Sequence, residues 1–467
     1  MRTLTTAVRT ALATTITAVG LTASLSAQTA SASDIEALRE QIRLLDQKLR
    51  VLERNTELKD ETATAAAKTA GKVAFTDKGL TFSSGDGANS LRVRGLVQAD
   101  SRWFANDHVA ANDTFILRRA RLILEGAFNK NFEYLITPEF AGTTPSIVDA
   151  FVNVKIRPEF QIRAGRFREP VGLEQLQSDA VAFFNERSVV SSYLPNRDVG
   201  IQIHGDLFTN RLNYAVGYFN GVEDGQNGAN SDNSNEKDFA ARLFATPFIN
   251  NKDSALAGLG FGVGASAGSQ NGSSNGTLAY RTDGQQTWFS YNGAGTPIPY
   301  GNNYRISPQA YYYYGPFGLL AEYAVTSAEW RNTNGTNRRN LQNTAYQIAA
   351  GYVLTGEDAG YKGVTPRTNF DLDNGTWGAF EVVARFSQAD VDSGAFTGAT
   401  PLAVRTSRAS GATGYGLGLN WYLSKTVRAG VDYFHTSFDV PAGVNPAINS
   451  PIDGDENVFI TRLQIAF

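Results

Sequence analysis

Phe115-Ile-Leu-Arg-Arg-Ala-Arg-Leu-Ile-Leu-Glu-Gly126 reads as a β-strand with two unlike faces. Successive side chains on a strand point to opposite sides. In the register that groups Ala120, Leu122, Leu124 and Phe128, the other face carries Arg119, Arg121, Ile123 and Glu125. A strand that is greasy outside and charged inside suits a closed sheet with lipid around it and water within. A soluble barrel would normally reverse those sides. The expected fold class is all-β: a transmembrane antiparallel β-barrel of about 16 strands, preceded by a short N-terminal coiled-coil helix.

Composition fits one large barrel. The chain has 467 residues, 45 of them Gly, with 11% aromatics and a mean hydropathy of -0.25. No run after the N-terminus approaches the roughly 20 apolar residues of a membrane helix. The absence of cysteine removes disulfides, thiol catalysis and cysteine-ligated metals. His108, His204 and His435 are too scattered for a histidine metal cluster, and none sits in a nucleophile–base arrangement that stands out. The chain is therefore expected not to be an enzyme, and no cofactor motif is present. Net charge is -3, yet the 42 basic residues divide into 31 Arg and 11 Lys. Guanidinium stays charged and offers a planar fork to oxyanions. Those arginines recur at strand spacing rather than in an exposed patch, which argues against nucleic acid as a partner.

Residues 1–32 have the pattern of a secretory signal: Arg2 and Arg9, an apolar stretch, then Ala30-Ser-Ala32 as the cleavage site. Residues 33–59 follow as a periplasmic helix. Ile35, Leu38, Ile42, Leu45, Leu49 and Leu52 step by 3 and 4, a heptad seam. That seam suits a short parallel coiled coil, or alternatively one amphipathic helix lying on another surface. Residues 60–89 are expected to be a linker, and residues 90–467 the barrel.

Alternating segments recur from Leu91 to Phe467. Between them Asn129-Lys-Asn131, Thr209-Asn210, Gly315-Pro316 and Ser424-Lys425 read as tight turns. Asp224–Lys237, Ser269–Asn303, Arg331–Asn340, Asp390–Ala412 and Ser437–Asp455 read as long loops. Such asymmetry matches the two sides of an outer-membrane barrel. Thr355–Asn374 breaks it, being long on the short-turn side. Trp103, Tyr311–Tyr314, Phe317, Trp421 and Tyr422 are candidates for the interfacial belts. The ending Phe459-Ile-Thr-Arg-Leu-Gln-Ile-Ala-Phe467 alternates to a final aromatic, like the signal read by barrel-insertion machinery. The expected location is the outer membrane of a Gram-negative bacterium.

An arginine facing lipid at the bilayer midplane costs roughly 2–4 kcal/mol. Parity accordingly turns Arg92, Arg94, Arg119, Arg121, Arg163, Arg242, Arg305, Arg385, Arg428 and Arg462 inward. Arg118 and Arg166 fall on the outward parity; either they lie beyond the hydrocarbon band or a bulge turns them in. The segment from about 166 to 198 carries Arg166, Arg168, Arg187 and Arg197 together with Leu173, Leu176, Phe183 and Phe184. Those apolar groups would be wasted on a wholly external loop, so the segment is expected to fold inward and narrow a channel, or else to pack on a neighbouring subunit. Three functions compete: anion-preferring diffusion, a general or carbohydrate-permeable pore, and surface binding by the long loops. Against the first stands a purely structural pairing of the arginines with Glu125, Glu133, Glu139, Glu322 and Glu381.

Leu117-Arg-Arg-Ala120, Ala164-Gly-Arg-Phe167 with Gly172-Leu-Glu174, Tyr352-Val-Leu-Thr-Gly-Glu357, Gly418-Leu-Asn-Trp-Tyr422 and Arg462-Leu-Gln-Ile-Ala-Phe467 resemble the phosphate-selective porin O and P family, in matching order over about residues 90–467. The resemblance implies a homotrimer of sixteen-stranded barrels in the lipid bilayer, with an arginine ladder, an inward-folded constriction loop, and small anions such as phosphate or polyphosphate as solutes. By position it places the strand-borne Arg-Arg pair on Arg118 and Arg119, the constriction arginine on Arg166, and an acidic partner on Glu139. Arg121 departs from the family pattern, where an aromatic residue is often found.

Overall fold

The computed structural model describes residues 31–105, 111–231, 235–272, 278–293, 296–440 and 443–467. All but the last two residues of the expected signal peptide lie outside these, as does His108.

The N-terminal unit is one helix, α1 (Ala32–Thr69). It runs ten residues past the expected end at residue 59, through Asp60-Glu-Thr-Ala-Thr-Ala-Ala-Ala-Lys-Thr69, where a linker was expected. Alanine has the best helix propensity of all residues, so this stretch has little reason to leave the helix. The seam residues stand exposed along it, from Ile35 at 45% to Leu52 at 65%.

The rest of the expected linker is also structured. Lys72–Thr76 and Gly79–Ser83 form a hairpin, whose second strand pairs with residues 90–93 of the barrel. The barrel strands are β1 (Ser90–Phe104), β2 (Thr114–Phe128), β3 (Phe132–Glu139), β4 (Ser146–Arg157), β5 (Phe160–Arg168), β6 (Arg197–Leu207), β7 (Leu212–Phe219) and β8 (Asp238–Ala245). They continue as β9 (Leu259–Asn271), β10 (Pro297–Tyr314), β11 (Phe317–Asn332), β12 (Arg339–Val353), β13 (Ala379–Asp390), β14 (Gly411–Tyr422), β15 (Val427–Asp439) and β16 (Glu456–Ala466). Each pairs antiparallel with its sequence neighbour, and β16 closes on β1 from Val458↔Phe104 to Ala466↔Leu96. A sixteen-stranded barrel leaves no sheet edge within its wall. The seam ends where Phe467 and Gly95 exchange backbone hydrogen bonds at 2.9 and 3.1 Å. The Phe467 ring lies over Gly95, where an added Cβ would come within 2.7 Å of it.

Alternation holds along most strands. Leu117, Val152, Val216, Leu243, Ile348, Leu417 and Leu463 stand exposed on the outside, while Arg119, Arg305, Arg385, Arg428 and Arg462 are buried inside. The tight turns fall where expected, Asn129 and Lys130 taking left-handed backbone at φ 50° and 65°. The belt assignment needs correction. Trp103 meets Phe115 edge-on, and Trp421 stacks on Phe380, both on the outer surface. Tyr313 and Tyr422 instead face inward and are buried, and Tyr311 packs inside on Phe244 and Tyr361.

The long connection 354–378 turns back into the lumen. Tyr361 stacks on Tyr311, and its hydroxyl donates to the Leu173 carbonyl at 2.6 Å.

Gly165 in β5 has φ +131°, and an added Cβ would meet the Ala150 carbonyl oxygen at 2.2 Å. Gly165→Ala should therefore destabilise the barrel by about 1–3 kcal/mol, read as a lower midpoint of urea unfolding by tryptophan fluorescence. An unchanged midpoint would contradict the backbone described.

Candidate functional site

The arginine strand owes its inner face to a bulge. Gln98 of β1 pairs with Arg119, and Ala99 pairs with Leu117, so Arg118 is the extra residue. A bulge bends the strand and re-aims a side chain. Arg118 thereby leaves the lipid-facing parity: its Nε and Nη2 donate to the two oxygens of Glu186 at 2.6 and 3.0 Å. Arg119 Nη1 donates to Gln98 at 2.6 Å, and Arg121 Nε to Glu139 at 2.7 Å.

Glu186 belongs to the loop 169–196 between β5 and β6, which folds into the barrel. Its apolar side chains explain why: Leu173, Phe184, Val190, Tyr193 and Leu194 are fully buried. The opposite wall holds its backbone. Leu173 and Glu174 donate amides to Glu322 of β11 at 2.6 and 3.2 Å, and the Asn185 amide donates to Asp432 of β15 at 2.7 Å. Arg428 of β15 and Gln464 of β16 donate to the carbonyls of Ala182 and Ala180 at 2.8 and 2.9 Å. These backbone groups of the loop thus find the partners that burial demands.

Two loop carboxylates then organise the arginines. Asp179 faces Arg168 at 3.1 Å and Arg119 at 3.5 Å, and is ion-paired with Arg121 and Arg187 as well. Glu186 gathers Arg118, Arg102 at 3.0 Å and Arg462 at 3.0 Å, while Arg462 also makes a bidentate pair with Asp100 at 2.7 Å on each arm. Burial alone would raise both loop carboxyls. The surrounding guanidiniums outweigh it and hold both well below the usual carboxylate range.

Cavities flank this cluster. One of about 330 Å³ is lined by Arg94, Arg121, Arg163, Arg168 and Arg197, with Asp149 and Asp179. Another of about 300 Å³ is lined by Arg118, Arg119, Arg187 and Arg281, with Glu186. Of the four guanidiniums on Asp179, Arg121 and Arg168 line the first cavity and Arg119 and Arg187 the second.

Arg92 and Arg94 share Glu125 at 3.1 and 2.8 Å, near the start of β1. Arg163 lies over the Phe151 ring at 4.4 Å, with no carboxylate at ion-pair distance among the described residues. Arg187 also donates to the Glu174 carbonyl at 3.0 Å. Arg166 does not join the constriction. It keeps the parity opposite to buried Phe167, and its Nη1 reaches Asn230 of the loop 220–237 at 2.6 Å. Arg168 and Arg197, at the facing ends of β5 and β6, occupy that cavity instead. Sequence reasoning missed Asp179 and Glu186, the acids around which everything gathers.

A closed sixteen-stranded barrel, apolar outside and narrowed by an inward loop, defines an outer-membrane channel of the porin class. The model of the family described as phosphate-selective porin O and P matches residues 91–467, and the chain belongs to that family. Its location is the outer membrane of a Gram-negative bacterium. Porin O of Pseudomonas aeruginosa is 29% identical over 156 residues, a match spanning 33% of this chain and 33% of that relative. The outer membrane channel DcaP of Acinetobacter baumannii shares the fold at a TM-score of 0.51 and 12% identity, over 83% of this chain and 99% of that one. An anion-selective porin from Comamonas acidovorans aligns at a TM-score of 0.48 and 13% identity, over 81% of this chain and 100% of that one.

Removing one partner from a buried ionic network costs about 3–5 kcal/mol. Glu186→Gln, which strips Arg102, Arg118 and Arg462 of a shared carboxylate, should lower barrel stability by that order in urea titration, whereas Arg92→Gln at the half-exposed Glu125 pair should cost under about 1 kcal/mol. Equal losses would refute the central role of the loop.

Proposed function

We propose that the chain forms a passive, anion-preferring porin, with phosphate or polyphosphate as solute. What carries this reading is the arginine lining on both sides of the inward loop. Around Asp179 and Glu186, seven guanidiniums (Arg102, Arg118, Arg119, Arg121, Arg168, Arg187 and Arg462) meet four carboxylates, Asp100, Glu139, Asp179 and Glu186. That excess of positive charge sits in a low-dielectric enclosure that focuses its field. An anion would trade hydration for serial guanidinium contacts, each weakened by a resident carboxylate and so able to release it. The purely structural pairing is present too, in Arg92 and Arg94 with Glu125 and Arg121 with Glu139; it leaves the excess untouched. Phosphate is favoured by the family description, and a homotrimer by the exposed heptad seam of α1.

In planar bilayers under a KCl gradient, the reversal potential should show chloride crossing ahead of potassium, and phosphate should block the chloride current. Arg121→Ala and Arg168→Ala should each weaken that block about tenfold, the equivalent of one hydrogen bond to a charged group at about 1.5 kcal/mol. Potassium outrunning chloride would defeat the proposal. Block by sugars with none by phosphate would favour the carbohydrate-permeable reading.

A further inference from the structure

Two grooves mark the outer wall of the barrel, away from the lumen. One, of about 490 Å³, lies between Phe160, Tyr214 and Val216, where the outward residue Ala241 is small. The other, of about 730 Å³, lies between Phe261, Tyr323 and Ile348, over Pro308 and Ala321. Leu212 and Leu243 border both, so the two are continuous. Val216, Leu243, Phe261 and Ile348 stand exposed along them. Pro308 has no N–H to give the ladder, and the pairing of β10 with β11 lapses over Ser307 and Pro308. Inside a bilayer no water drives an apolar chain into such a groove; close packing holds it there. Any acyl chain supplies that packing, so selection depends on the polar end.

The first groove ends at the turn between β4 and β5, on the side of the short turns, which is the periplasmic side. The pairing shifts between Lys155 and Arg157, so that Arg157 lies opposite Phe160 and shares its outward face. Glu159 stands at the same rim. Both residues are exposed, and among the described residues neither side chain has an ion pair or a hydrogen bond. The Glu159 carbonyl is already taken, by the Tyr214 hydroxyl at 2.8 Å. A positive and a negative charge that do not neutralise each other thus sit at the mouth of two joined apolar grooves. A guanidinium fork suits a phosphate, and a carboxylate accepts from an ammonium. A headgroup that carries one of each complements the pair.

We propose that the double groove holds one phospholipid of the periplasmic leaflet, a diacyl lipid with a phosphoethanolamine headgroup. The phosphate lies on Arg157, the ammonium on Glu159, and one acyl chain in each groove. The proposal rests on the chain's place in the outer membrane and not on which solute passes through it, since none of the lumen arginines takes part.

The test is native mass spectrometry of the purified full-length protein in detergent, titrated with dioleoyl phosphatidylethanolamine, with its phosphatidylglycerol counterpart and with one-chain lysophosphatidylethanolamine. One ethanolamine lipid per chain should persist at collision energies that strip the others. The glycerol lipid, which has no ammonium, should bind about threefold more weakly, and the one-chain lipid at least about tenfold more weakly. Arg157→Gln should weaken the diacyl ethanolamine lipid about tenfold, the loss of one hydrogen bond to a charged group. Glu159→Gln should erase the preference over the glycerol lipid. Ala241→Trp, which fills the first groove without touching either charge, should bring the diacyl lipid down to the level of the one-chain lipid. The heat-dependent gel mobility of folded barrels reports that each variant is assembled. Equal affinity for the ethanolamine and glycerol lipids, a statistical ladder of adducts with none persisting, or an assembled Arg157→Gln protein that binds as before would each overturn the proposal. Loss of the oligomer in Ala241→Trp, with no lipid persisting on the unaltered protein, would assign the groove to a second copy of the chain and overturn it as well.

Discussion

Opposite charges brought out of water together, guanidinium on the wall and carboxylate on the inward loop, are what the interior is built around. The wall arginines are forced inward by lipid on the other face, and once there they repel one another across a small lumen. Asp179 and Glu186 relieve that repulsion from a segment that has its own reason to be inside, its buried Leu173, Phe184 and Tyr193. Neither half is tolerable alone. A loop without the arginines would bury two naked carboxylates, and a wall without the loop would take from Arg118 and Arg119 the carboxylates they pair with, leaving Arg121 only Glu139. The pairing therefore fixes both the loop's path and the arginines' directions.

Period-two alternation is a local property, which is why so much of the barrel was legible in the sequence. Arg119, Arg121 and Arg462 could be placed by parity and the price of charge in lipid, and the tight turns followed from Asn, Gly and Pro at strand junctions. Arg118 was legible only as a choice between a place beyond the hydrocarbon band and a bulge; the bulge decides it, and its location depends on the neighbouring strand, where Gln98 pairs with Arg119 and Ala99 with Leu117. Tyr422 was misread for a related reason. Its ring sits at a strand end where a belt residue would, but its hydroxyl has a buried partner in Glu381 at 2.7 Å. Family resemblance placed Arg166 at the constriction, whereas the wall turns Phe167 inward and leaves Arg166 for Asn230. Asp179 and Glu186 carry no sequence signal beyond being lone acids in an arginine-bearing loop; their importance lies in contacts across the lumen, up to 276 residues away.

The loop is held from more than one direction, which bears on how rigid the narrowing is. Strands β11 and β13 to β16 hold its backbone, and the long connection 354–378 reaches it through Tyr361. Gln177 donates to the Tyr361 carbonyl at 2.8 Å, in return for the Tyr361 hydroxyl on Leu173. A tight turn could not do this. The one connection that breaks the short-turn rule thus has a structural reason for its length: it extends into the space beside the loop that the barrel wall alone would leave unfilled.

Pairing and anion affinity are often set against each other, as if an arginine bound to a carboxylate were spent. The geometry here argues otherwise. A guanidinium has five N–H donors, and a carboxylate about four acceptor sites. Asp179 divides its two oxygens among four guanidiniums, so donors remain in excess whatever the detailed arrangement. The Nε groups of Arg102, Arg163 and Arg168 have no acceptor among the described residues. The carboxylates therefore do two things at once: they orient the forks, and they leave a remainder of positive potential that is shallow. A wall of free arginines would hold a multivalent anion too tightly to pass it, and a fully neutralised wall would not attract one. Partial neutralisation lies between these, and it also explains why the chain's net charge of -3 says so little about its interior.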